Sequence, residues 1–458
     1  MTNYDIVINQ AHVMDPESGL DQLQNVGISQ GKIAMISDSP LNGEQVIDAP
    51  GQILCPGFID LHCHPQDTQI FEVQALDGVT TTLELEVGTS DIEHFYSKWE
   101  NQSPINFGAS IGHIPVRMKV MNDPGVFLPS GDAGRKLASN PEIVEMQHLI
   151  REGLEKGALA VGFGLDYTRG ASRWEVIQMF KVAAEFAASC HVHLRGKGHL
   201  EPSNAIEALE EVIAAAAVTG APLHVVHLNS TGMRAVPQLL DMISGANQSG
   251  LDVTTECYPY TAGMTKIESA LFDDGWQENY GIDYEQLMRP DTGEYLTAKT
   301  FSEYRESGGW IITFSTPEES MKAAVKSPLT MIATDSIIEN GKGHPRTAGS
   351  YTKVLGEHVR ENGDLDLMSA LSKMTIMPAK RLQHRAPAFL NKGRIKQGAD
   401  ADIVVFNPLT VKDQSTYTNP IKPPIGLNHV IVNGVPVVSN ANLEEGALPG
   451  KGIRAKIK

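Results

Sequence analysis

The chain has 458 residues, 41% of them hydrophobic, enough for one large core and a second, smaller one. A formal net charge of -18 argues against nucleic acid or anionic lipid as partner, and no run approaches the roughly eighteen apolar residues a membrane span needs. Four scattered cysteines, Cys55, Cys63, Cys190 and Cys257, offer neither a disulfide framework nor a CxxC metal site. With no basic-then-apolar export pattern in "MTNYDIVINQ", a reducing, cytoplasmic setting is the expectation.

In chain order, residues 1–54 read as short strands joined by turns. "YDIVINQAHVMD", "QNVGISQGKIAMIS" and "EQVIDAPGQ" alternate apolar and polar residues, which predicts antiparallel β-structure too small to bury a core alone. From 55 to 385 the texture changes. Candidate strands "ILCPGFIDLH", "VTTTLELEV", "INFGASIG", "ALAVGFG", "CHVHLRG", "PLHVVHL", "LDVTTECY" and "LTMIATD" are separated by helical patterns such as "SRWEVIQMFKVAAEFAASC". Such alternation predicts an α/β fold, a parallel sheet closed into a TIM (β/α)8 barrel. The stretch from about 261 to 327 is too long for a plain connection and reads as an insertion over the barrel mouth. Residues 386–458 return to the first texture, with a hairpin turn at Asn433-Gly434 in "NHVIVNGVPVVSN". The two ends are therefore expected to form one small β-sandwich.

In a parallel barrel the chemistry sits at the C-terminal strand ends. The first strand ends in "PGFIDLHCHP", where period-two geometry aims His62 and His64 inward and Cys63 outward. Glu84 and Glu86 end the second strand on one face, His193 the fifth, His227 the sixth and Asp335 the eighth. Burying four imidazoles and several carboxylates on one rim is costly unless a cation compensates them. Nitrogen and oxygen donors suit one or two divalent ions, zinc above all. His191 lies earlier in its strand, His224 has the parity of the helix-facing side, and His113 is open between supporting the ligands and packing. His12, His94, His148, His199, His358, His384 and His429 show no strand-end placement and read as surface or packing residues.

These motifs resemble those of the amidohydrolase superfamily, and within it the N-acyl-D-amino-acid deacylases, over nearly the whole chain. "PGFIDLHCHP" is similar to the superfamily signature, "GLDY" (Gly164 to Tyr167) to the subfamily's fourth-strand motif, and "ECYPYTAG" to its Tyr-Pro-Tyr-Thr motif. "VHLRGKG" and "VVHLNSTG" carry His193 and His227 where the family places ligand histidines. "MIATDS" supplies Asp335 as the matching catalytic aspartate. "HPRTAGSYTKVLGEHVRE" supplies Arg346 where the family holds a substrate carboxylate. The chain also departs from the pattern. The family's zinc-binding cysteine after the second strand is replaced by "LELEVG", so Glu86, or in its place Glu84, is the expected bridging carboxylate. The fourth strand, "VGFGL", ends without the lysine that related amidohydrolases carry there. The family's lysine after the sixth-strand histidine is Asn229.

On this reading His62, His64, Glu86, His193, His227 and Asp335 surround one or two ions that lower the pKa of a bound water. Asp335 accepts the water's proton and returns it to the departing nitrogen. Tyr167 assists the developing oxyanion. Arg346 pairs with a carboxylate of a small substrate, and Tyr258 and Tyr260 line the pocket, with aromatic packing an equal account of one of them. The implied activity is hydrolysis of a linear amide outside a peptide chain, foremost in an N-acyl (D-)amino acid. A cyclic-amide hydrolase of dihydroorotase or hydantoinase type, a dipeptidase and a metal-free scaffold barrel are the alternatives. A homo-oligomer is left open.

Overall fold

Eight parallel strands follow one another around a single sheet in chain order. They are β1 Phe58–Asp60, β2 Val79–Thr89, β3 Asn106–Gly112, β4 Ala160–Gly164, β5 Ser189–His193, β6 Leu223–Val225, β7 Val253–Cys257 and β8 Thr330–Ile332. The ring closes where the continuations of β1 and β8 meet: His64 N donates to Ser336 O at 2.8 Å, and Ser336 N to His62 O at 3.3 Å. Asp60 fastens the same seam, accepting from the backbone N–H groups of His62 and Thr334 at 3.1 Å each and from Gln74 at 2.6 Å. The computed structural model describes residues 3–198 and 204–457, so His199 lies outside the described residues.

Helices pack outside the ring and bury residues such as Val176, Phe180, Leu209 and Val212 against it. Their ends are set locally by the sequence. Ser172 Oγ accepts from Glu175 N at 3.1 Å to open the helix Arg173–Glu185. Asn204 Oδ1 caps Ala205–Thr219, which stops at Gly220 with φ +76°.

Strands from both chain ends form one nine-stranded sheet over its own core of Ile6, Ile8, Val26, Ile28, Leu54, Ile403 and Val405. The expected first barrel strand turns out to be two. Ile53–Pro56 pairs with Tyr4–Asp15 and with Ile403–Phe406, so the chain enters the barrel only at Phe58. Gly57 makes the step, since a Cβ there would lie 2.2 Å from Thr80 Oγ1. The last residues also leave the terminal sheet: Ile453 N donates to Phe107 O at 2.7 Å, at the start of β3. There Ile453 joins Ile59, Leu83, Leu159 and Phe389 in a cluster at the barrel floor.

The insertion carries a three-stranded antiparallel sheet of Gly263–Lys266, Trp310–Thr313 and Leu287–Met288. Its apolar cluster of Ile267, Leu271, Phe272, Trp276 and Phe301 reaches Val87, Ile114 and Tyr167 from the barrel loops. The insertion thus roofs the C-terminal strand ends.

Candidate active site

Polar residues at five strand ends meet under that roof. One ligand atom each from His62, His64, Glu86 and Asp335 lie within 4.8 Å of one another, and so do those of Glu86, His193 and His227. Glu86 belongs to both groups. Its Oε2 lies 3.1 Å from His62 Nε2 and 3.2 Å from His64 Nε2, while Oε1 lies 2.8 Å from His193 Nδ1. Glu84, the alternative, stands behind: its carboxylate takes His64 Nδ1 at 2.7 Å and Gly88 N at 3.1 Å. Backbone packing sets the different positions of the two carboxylates. The pairing of β2 with β3 slips after Glu84. The slipped segment presses so close that a Cβ on Gly112 would sit 1.8 Å from Val87 O, and one on Gly162 2.2 Å from Glu86 O. β4 ends in Gly164 where related amidohydrolases carry a lysine, and it is Gly162, two residues earlier, that leaves room for the Glu86 backbone.

The last two donors sit on strained backbone. His227 has φ +30° and Asp335 φ +50°, the left-handed region that residues with a Cβ rarely occupy. The turn at His227 also breaks the parity count. His224 does not face the helices; its Nε2 meets Glu256 Oε2 at 3.0 Å inside the barrel, and its ring lies 4.5 Å from that of His191. Glu256 Oε1 in turn accepts His62 Nδ1–H at 2.6 Å. Sequence reasoning missed Glu256, although an acid in the apolar run "LDVTTECY" was a readable signal.

Electrostatics at the cluster call for positive charge. Burial opposes a charged His62 ring, but Asp335, Glu256 and Glu86 outweigh it and push His62 up to about 10. Burial lowers His227 to about 4, so its ring is neutral and able to donate a lone pair. Burial would raise Asp335, yet Arg346 and His62 hold its carboxyl well below the usual range. His193 Nε2 is buried without a hydrogen-bond partner among the described residues. Imidazoles and a shared carboxylate, converging from five strand ends, fit a divalent metal centre.

The donors floor a cavity whose walls include Phe127, Tyr167, Lys197, Tyr258, Met264, Trp310 and Arg346. Arg346 is buried, lies 4.6 Å over the Tyr258 ring, and brings Nη2 to 2.8 Å from Asp335 Oδ2. That contact is an ion pair without hydrogen-bond alignment, so all three guanidinium nitrogens still lack an aligned acceptor among the described residues. Tyr167 packs 4.8 Å from His193 and bonds Thr265 Oγ1 at 3.1 Å. Tyr260 does not line this cavity. Its hydroxyl turns to Pro345 O at 3.4 Å and its ring packs on His344, because the Tyr-Pro-Tyr turn sends the two rings apart. His344, which sequence reasoning passed over, accepts Arg346 N–H on Nδ1 at 3.0 Å. Asn229 holds the same turn, donating to Tyr258 O at 3.1 Å and Tyr260 O at 3.3 Å. His113 is remote from the donors, in a buried trio with Glu175 at 2.7 Å and Arg117.

A sequence profile of the Amidohydrolase family matches residues 145–438. The chain is 29% identical to an N-acyl-D-glutamate deacylase of Alcaligenes xylosoxydans xylosoxydans, covering 95% of this chain and 94% of that one. A dihydroorotase of Streptococcus pneumoniae is 24% identical over 88% of this chain and 90% of its own. Among solved structures, an N-acyl-D-glutamate deacylase from Bordetella bronchiseptica, complexed with zinc and a phosphonate inhibitor, superposes with a TM-score of 0.84. It is 25% identical, covering 99% of this chain and 100% of that one.

Proposed function

The chain belongs to the amidohydrolase family, and from that premise we propose that it deacylates an N-acyl amino acid, hydrolysing a linear amide beside a free carboxylate. The observation that carries this reading is Arg346: a buried guanidinium with unaligned N–H groups, facing the same cavity as the metal donors. A planar fork of that kind suits a carboxylate bound through two parallel hydrogen bonds. The D configuration and zinc are further parts of the proposal, supported by the deacylases to which the chain is similar. Cyclic-amide hydrolysis ranks second, supported by the more distant dihydroorotase likeness.

His62, His64, Glu86, His193 and His227 would hold the ion or ions, with Glu86 shared between two positions. When bound, such a centre supplies Lewis acidity that polarises a carbonyl and lowers the pKa of water. Arg346 anchors the substrate carboxylate and so fixes the scissile amide against the donors. Asp335, kept ionised by its neighbours, takes a proton from the attacking water and passes it to the amide nitrogen as the bond to carbon breaks. Tyr167 and Tyr258 close the sides of the cavity, and Met264, Thr265 and Trp310 of the insertion add a further wall.

The test is a panel of N-acyl D- and L-amino acids, dipeptides and cyclic imides, scored for released amine with zinc-loaded protein. D-configured N-acyl substrates should turn over best. Asp335→Asn should lower kcat by about 10²–10⁴-fold while bound metal stays near the wild-type amount. Preference for cyclic imides would transfer the protein to the second reading, and an active Asp335→Asn would remove Asp335 from proton transfer.

A further inference from the structure

Lys197 stands on the loop after β5, four residues beyond His193, and its side chain lines the cavity that also holds Arg346. Lys197 also lines a second cavity, with Asp166, Arg169, Arg195 and Tyr280. The charged groups around the second cavity are spent in pairs: Arg169 with Asp166, Arg195 with Glu211, and Arg173 with Glu207, each at 2.9 Å. Among the described residues no carboxylate makes an ion pair with Lys197, whose Nζ lies 5.3 Å from the Tyr280 ring. Of the acids whose charge reaches Lys197, Asp166 is paired with Arg169, Asp335 with Arg346 and Glu86 with the histidines. Burial pulls the Lys197 ammonium below its ordinary value, and the charges of Asp166, Asp335 and Glu86 only partly offset this.

Two cations therefore face one pocket from different sides of the ring, with β6 and β7 between the loops that carry them. One carboxylate is enough for Arg346. A partly buried ammonium that makes no ion pair with an acid among the described residues is suited to a ligand that supplies one. We propose, resting on the deacylase reading, that Lys197 binds a second carboxylate of the substrate and so selects N-acyl amino acids that are dicarboxylates. That second carboxylate has two chemical sources, an acidic amino-acid side chain or an acidic acyl group.

The experiment compares N-acetyl-D-glutamate, N-succinyl-D-leucine and N-acetyl-D-leucine with the zinc-loaded wild type, Lys197→Met and Lys197→Arg. Wild type should favour a dicarboxylate. In Lys197→Met the ratio of kcat/KM for that dicarboxylate to kcat/KM for N-acetyl-D-leucine should fall by about 10- to 100-fold, carried by KM. Lys197→Arg should restore most of the ratio. Loss on the glutamate arm places the carboxylate on the side chain, and loss on the succinyl arm places it on the acyl group. A ratio unchanged by Lys197→Met, or equal losses on all three substrates, overturns the assignment. Turnover of N-acetyl-D-leucine without a dicarboxylate preference fails Lys197 alone, whereas no turnover of any of the three fails the deacylase reading as well.

Discussion

Glu256 shows how a residue outside the donor groups governs them. Its two oxygens are occupied by two rings, His62 Nδ1–H at 2.6 Å and His224 Nε2 at 3.0 Å, and both rings and the acid are fully buried. Because Glu256 accepts His62 Nδ1–H, the ring is held with Nε2 turned to Glu86 and Asp335, the nitrogen from which it would hold an ion. Such carboxylate–histidine pairs typically contribute 10- to 100-fold to metal affinity. Glu256→Gln should therefore raise the zinc dissociation constant by about 10- to 100-fold, measured by chelator competition on purified protein without any turnover assay. An unchanged constant would reduce Glu256 to packing. The residue itself was open to sequence reasoning, since a carboxylate in an apolar strand is never neutral in energy. Its partner was not. The left-handed turn at His227 cancels the period-two count, so His224 and His227 both reach the interior from positions of opposite parity.

At the scale of elements, the eight strand runs were legible because short apolar segments between helical patterns leave few other folds. Two features were missed. The break at Gly57 separates Ile53–Pro56 from β1 inside one apolar run, marked only by the Pro56-Gly57 dipeptide that the strand reading ran through. The slip after Glu84 in β2 depends on glycines in β3 and β4, which no local window contains. That slip has a direct consequence. An added Cβ at Gly162 would meet two backbone oxygens, Glu86 O at 2.2 Å and Leu85 O at 2.5 Å, and backbone cannot swing aside as a side chain can. Gly162→Ala should cost about 1–3 kcal/mol of stability by overpacking and should displace the shared carboxylate, lowering bound metal per chain. Gly245 in the helix Val236–Gln248 has open space around it and is the control. Gly245→Ala should be neutral or stabilising by about 0.5–1 kcal/mol with metal content intact. Urea denaturation together with metal analysis reads both variants; equal behaviour of the two would refute the close approach of β2 and β4.

Across the whole molecule, the terminal sheet and the barrel share one buried polar node at Asp402. Its Oδ2 takes Lys392 Nζ at 2.6 Å and Asn106 Nδ2 from β3 at 3.2 Å, while Oδ1 takes Asn433 N at 2.7 Å. Its backbone carbonyl accepts Gly57 N at 2.8 Å, at the step where the chain crosses from one sheet to the other. Asn433 closes the loop by donating its side-chain amide to Asn106 Oδ1 at 2.8 Å. The motif "GADADIVVF" reads as plain scaffold in the sequence, because residues 57, 106, 392 and 433 are far apart along the chain. Removing one partner of a buried pair leaves the other charge stranded, a loss of about 3–5 kcal/mol. Asp400 still faces Lys392 at 3.0 Å, which sets the low end of that range. Asp402→Ala should thus lower stability by about 3 kcal/mol, seen as a lower urea midpoint and as faster proteolysis near the Gly57 crossing. The donors at the opposite end of the barrel do not touch this node, so metal bound per folded chain should hold at the wild-type amount. A variant that keeps wild-type stability would mean that apolar packing alone joins the two sheets, and a variant that loses metal while remaining folded would mean that the floor of the barrel sets the geometry of its mouth.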